Sequence, residues 1–304
     1  VFAAGIAVVL IAAIAARVGT RSTLSRAAVA HGARSKVGTF RTVVACGAIV
    51  FGALLLALAC YLGEFGNLTG FAVAFLGAAS VSTGVLIGAQ RIVPQLVRWM
   101  GAAFGASAPS IVARKNAVSD PRRTTRSTIG LLVGVTLVTT IASGMSSLTK
   151  SIHSWDMPPA EMAETERSLS VITAILLAMI AISAIIAAVG FVSTMSLTVI
   201  GRTREIGMLR AMGFTAKQVR AMVVRESLAL SGTAVIAGLV LGVIFGTVGS
   251  QSLIGKATSG IPVGLPWGAL VAIIAGTAVV VIAASLPPSR RAVAVAPVDA
   301  LAVA

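Results

Sequence analysis

Apolar runs of about 20 residues, each long enough to cross a hydrocarbon layer, recur along this chain with arginine-rich polar segments between them. Seven runs predict membrane spans at 1 to 16, 43 to 62, 69 to 90, 128 to 148, 169 to 199, 228 to 250 and 266 to 286. A backbone in lipid must satisfy its own hydrogen bonds, so the predicted fold is all-α and polytopic, with about seven transmembrane helices. The fifth run has about 31 residues, more than a crossing needs, which predicts strong tilt or a helix that continues past the bilayer. The first has 16 residues and begins without Met, so it reads as the stump of a span in a piece of a longer protein.

Composition excludes a soluble domain. Hydrophobic residues make up 57% of the chain and charged ones 11%, against about 25% charged in ordinary globular domains; mean hydropathy is +0.99. The formal charge of +15 is not spread evenly. Segments 17 to 41, 91 to 126, 202 to 225 and 290 to 291 hold 21 of the 24 Lys and Arg residues, while the alternate loops hold only Lys150, Arg167 and Lys256. That alternation predicts cytoplasmic placement for the basic segments and the C-terminus of a multi-pass protein of the plasma (inner) membrane. Nucleic-acid binding, the other common source of a high isoelectric point, has no basic domain outside the membrane to work with. Cys46 and Cys60 share one span and lie ~21 Å apart along it, too far to pair.

The most informative segment is the charged island at 201 to 226, set between two spans. Arg202, Arg204, Arg210, Lys217, Arg220 and Arg225 outnumber Glu205 and Glu226 there. If 202 to 225 folds as a helix or helical hairpin, Ile206, Leu209, Met212 and Phe214 give an apolar patch with an arginine rim, which suits docking into a groove on another protein. Glu205 can instead form a local pair with Arg202 or Arg210. The next span carries Gly238, Gly242 and Gly246 at four-residue spacing, a ridge that lets another helix approach closely, either as static packing or as part of a gate. Gly84 and Gly88 form a lesser version in the third span. Upstream, Ser119-Asp120-Pro121 places a cap and a Pro where an amphipathic piece ends and a span begins. Arg114, Lys115, Arg122, Arg123 and Arg126 can reach lipid phosphates there while Ile111, Val112 and Val118 face acyl chains.

Arg202, Arg204, Glu205, Ile206, Gly207, Leu209, Arg210, Ala211, Gly213 and the later Glu226 together resemble the signature of the FtsX-like permease family. Its members are membrane subunits of MacB-type, lipoprotein-releasing and bacitracin-type ABC transporters. The Asn116 to Arg123 stretch is similar to the turn that leads into the first span of a permease unit. The resemblance implies three parts: a last span and tail of a preceding unit at 1 to 42, two linker spans at 43 to 106, and one permease unit at 107 to 304. That unit comprises an interfacial helix at 107 to 127, four spans and a coupling segment at 201 to 226. It also implies contact between that segment and a separate ABC ATPase, as a dimer, where ATP and magnesium bind, together with a second permease or an extracellular or lipoprotein partner. Relatives often carry a large outer domain where this chain has only 149 to 167.

Chemistry within the chain is sparse. Gly249 to Ala257 looks like a phosphate loop but has one residue too many between its glycines, and Ala257 stands where Ser or Thr should hold magnesium. The acids, Glu226 included, and His31 and His153 map to loops or span ends, which disfavours ion-driven transport and a zinc site. The function this predicts is non-catalytic: coupling a partner's ATP hydrolysis to export, extraction or mechanical transmission at the outer face. The alternative is a relay from ATPase state to extracellular cell-wall hydrolases.

Overall fold

A computed structural model describes residues 39–67, 69–102, 111–112, 115, 121–155, 158–200, 203–257 and 263–294. The expected first span, 1 to 16, lies outside the described residues. All regular elements among the described residues are helical: α1 (Thr39–Glu64), α2 (Thr69–Ala102), α3 (Pro121–Ile152), α4 (Pro159–Ile200), α5 (Thr203–Ala211), α6 (Ala216–Ile254) and α7 (Trp267–Ala294), with a 3-10 turn at Gly255–Ala257. Four of these, α1, α2, α3 and α6, have the length and composition to cross a membrane.

Helices outrun the apolar runs that announce them. α4 begins at Pro159, so Glu161, Glu164 and Glu166, expected in a loop, lie on the helix. Proline is suited to a first helical turn, and Glu161 there complements the positive end of the helix dipole. α2 continues through Pro94 to Ala102, shortening the expected connection after residue 90. His153, expected as a solvated singleton, joins α3 to α4: its Nδ1 lies 2.8 Å from the Thr149 carbonyl and its Nε2 2.6 Å from Glu166 Oε1.

α3 packs most extensively on α6, and α1 on α2. A Cβ added to Gly238 would meet Val135, one on Gly242 would meet Thr139, and one on Gly246 would lie 3.0 Å from Ser143 Cβ. Both series ascend together in steps of four, so α3 and α6 run parallel, with the glycine ridge seated on α3 in this chain. Thr128, Thr139, Ser143, Ser147 and Ser151 are all fully buried along α3. Small residues at such a seam bring backbones together where water offers no hydrophobic drive. Hydroxyls need not oppose this: Thr136 and Thr140 each donate to the carbonyl four residues earlier, at 2.8 Å and 2.7 Å. In the α1/α2 pair the close contacts fall at Gly52, Gly77 and Gly84. The main apolar core gathers Val93 and Val97 of α2, Leu131 and Leu132 of α3, Phe191 of α4, Leu230 and Val235 of α6, and Val281 of α7. Beyond α6 the chain is tied back to α3, where Ser147 Oγ accepts from Gly264 N at 3.0 Å and Lys150 Nζ donates to Val263 O at 3.1 Å.

Candidate coupling site

The charged island folds as a helical elbow, α5 then α6, and its sequence explains the turn. Gly213 adopts φ 99°, which a residue with a Cβ takes only at a cost. Gly213 N donates to Arg210 O at 3.0 Å and Phe214 N to Leu209 O at 3.1 Å. This pair of bonds is a Schellman motif, closing the last carbonyls of α5. One residue on, Thr215 caps α6: its Oγ1 accepts from Gln218 N at 3.3 Å and its own N donates to Gln218 Oε1 at 2.8 Å, a reciprocal capping box. The Thr215-x-x-Gln218 spacing of this capping box is visible in the sequence.

Phe214 serves both ends. It lies just past the Schellman glycine and just before the α6 cap, and it packs with Leu209 against Ile206, Val219, Met222 and Val223. Packing of the residue before a cap against the fourth helical residue, here Val219, is a hydrophobic staple. The elbow is thereby fixed on both sides by hydrogen bonds and by one small core.

That core divides the expected apolar patch. Ile206 is only 3% exposed, and Leu209 and Phe214 are partly buried within the chain, because a Schellman turn and a staple both draw their apolar residues inward. Met212 faces outward at 67% exposure and is joined one turn earlier by Met208 at 51%, which sequence reasoning missed. Met212 lies just past α5, and its N–H donates to the Met208 carbonyl at 3.0 Å, which keeps the two one helical turn apart; Glu205 is exposed one turn before Met208. Arg210 is half-buried, Lys217 and Arg220 are exposed on α6, and Arg202 and the side chain of Arg204 lie outside the described residues.

Val112 corrects the reading of the upstream segment. Expected to face acyl chains, it packs on the elbow core beside Ile206 and Val223, since that core offers an apolar surface within the same chain; Ile111 and Lys115 are exposed. Arg114 and Val118 lie outside the described residues, as do the side chains of Arg122, Arg123 and Arg126 on α3. Glu226, expected at a span end, sits in the third turn of α6 at 2% exposure. The helix starts twelve residues before the apolar run does, and so carries Glu226 into the bundle.

Comparison with known proteins places this elbow in a family context. Residues 177–297 match the family described as FtsX-like permease C-terminal. The chain is 34% identical over 143 residues to a macrolide export ATP-binding/permease protein, MacB, of Nitrobacter winogradskyi, an alignment covering 47% of this chain and 21% of that protein. It is 37% identical over 89 residues to an uncharacterized ABC transporter permease of Methanocaldococcus jannaschii, covering 29% of this chain and 22% of the relative. The chain thus spans about a fifth of the length of either relative.

Proposed function

We propose that this chain, which carries an FtsX-like permease C-terminal domain across residues 177–297, is the membrane subunit of an ATP-driven ABC transporter. In this reading the α5–α6 elbow is the point where a separate ATPase subunit, binding ATP and magnesium, pushes on the bundle. The observation that carries it is the continuity of α6. One helix runs unbroken from the capped elbow at Ala216 to Ile254, ~58 Å at the α-helical rise. A displacement at the elbow would travel along that rod, and the interlocked Gly238, Gly242 and Gly246 would pass it to α3.

Met208 and Met212 are the docking residues in this mechanism, with Glu205, Lys217 and Arg220 as its polar rim. Methionine is flexible and polarizable and so adapts to a groove on a partner. Ile206, Leu209 and Phe214 act through Met208 and Met212, by holding α5 against α6. Substituting Met208→Asp together with Met212→Asp places two charges on the docking face without touching the elbow core. The double variant is expected to lose co-purification with the partner ATPase, and with it stimulated ATP hydrolysis, as for residues at the centre of an interface. Retention of wild-type co-purification and hydrolysis by a folded double variant would overturn the assignment.

A further inference from the structure

We infer that Arg41 and Arg91, brought together at one end of the α1/α2 pair, hold the phosphate of an anionic phospholipid. Register builds the site. Gly52 of α1 meets Gly77 and Val81 of α2, while Gly84 and Gly88 of α2 meet Ala45 of α1, so the two helices run antiparallel. One turn before Ala45 comes Arg41, whose Nε donates to the Ile87 carbonyl of α2 at 3.0 Å. Within an α-helix that carbonyl also accepts from the amide four residues on, which belongs to Arg91. The second bond takes its other lone pair. It pins the Arg41 guanidinium one turn from Arg91, on the face of α2 that Ile87 and Arg91 share. Both arginines are exposed.

Depth and charge identify the occupant. Gly52 lies at the middle of α1, and Arg41 is ~16 Å from it along the helix, against ~15 Å for half the hydrocarbon thickness. Arg41 is the last charge before the apolar run of α1, and Arg91 the first after that of α2. Both therefore stand at the level of lipid phosphates. Nothing nearby on these helices neutralises them, since α2 and α3 contain no carboxylate and Glu64 of α1 is at the opposite end. With Nε committed to Ile87, Arg41 keeps four N–H donors, and none has a partner among the described residues. A guanidinium fork suits phosphate oxygens. Phe40, Val43 and Val44 beside it are exposed, an apolar flank on which acyl chains can lie and for which a soluble anion has no use. The inference is independent of the ATPase reading, and its test needs no partner.

The full-length protein would be reconstituted in nanodiscs of equal phosphatidylcholine and phosphatidylglycerol, extracted, and examined by native mass spectrometry for retained lipid. Wild type is expected to retain phosphatidylglycerol in preference, and excess inorganic phosphate is expected not to displace it. Arg41→Gln should reduce that preference about five-fold, which corresponds to ~1 kcal/mol per basic residue at an anionic surface. Arg91→Gln leaves the bond between Arg41 and Ile87 intact and should give the same fall, so the effect does not depend on what that bond adds to folding. Arg98→Gln removes an equal charge from an exposed position two turns further along α2 and should match wild type. An unchanged preference in Arg41→Gln or Arg91→Gln would overturn the inference. So would an equal fall in Arg98→Gln, which would mean that net charge alone draws the lipid, or displacement by inorganic phosphate, which would mean a soluble anion.

Discussion

A glycine in a lipid-embedded helix acts through the approach its missing Cβ permits, so its role is decided by what lies opposite. A Cβ at Gly246 would come within 2.5 Å of the Thr140 carbonyl oxygen and 2.6 Å of Gly144 N. Both are backbone atoms that cannot rotate away. Gly246→Ala is therefore expected to force α3 and α6 apart and to destabilise the protein by about 1–3 kcal/mol, the usual cost of overpacking. Gly276→Ala on α7 meets nothing within 4 Å, and removing glycine's backbone freedom there should be neutral or stabilising by up to ~1 kcal/mol. Thermal unfolding of both variants in one detergent checks the pair, and equal shifts would refute the seam. The four-residue glycine spacing is plain in the sequence. Its partner was not, because Thr139 and Ser143 read as ordinary polar residues of a span until their burial against α6 is known.

The α5–α6 elbow shows where pattern stops deciding orientation. The sequence identifies a charged, helix-forming island, and both the Gly213 turn and the Thr215 cap are readable from residue type and spacing. A nine-residue helix with apolar residues at 206, 208 and 209 and Met212 just past its end, however, has two candidate faces. The choice was made by Val219, Met222 and Val223 on the following helix, together with Val112 from nearly a hundred residues upstream. If the elbow is held as described, Gly213→Ala should cost about 1–3 kcal/mol by placing a Cβ at positive φ, and Thr215→Ala about 1 kcal/mol through loss of the capping box. Hydrogen exchange resolves the effect. Amides of α5 and the first turns of α6 should exchange faster in both variants while those of α3 stay protected, whereas unchanged protection in α5 would show that the caps do not hold it.

For the whole molecule, hydropathy located the apolar cores of α1, α2, α3 and α6 but not their ends. It registers what lies in lipid, while helix formation continues wherever caps and propensity allow. α4 accordingly takes in the acidic stretch after Pro159, and α6 takes in Lys217, Arg220, Arg225 and Glu226. These extensions bring charged groups of opposite sign onto rigid helices at the two ends of the bundle, and so sharpen a test of orientation. With Cys46 and Cys60 both replaced by Ala, single cysteines at Glu164 and Lys217, each exposed on its helix, report the two sides. The excess of basic residues around 217 and their scarcity around 164 predict that a membrane-impermeant maleimide labels Glu164→Cys in intact cells and Lys217→Cys only after permeabilisation. The two sites flank spans whose connecting elbow is already fixed, so they must report as a pair. Labelling of Lys217→Cys in intact cells would invert the bundle, put the α5–α6 elbow out of reach of any cytoplasmic ATPase, and remove the basis for the proposed coupling.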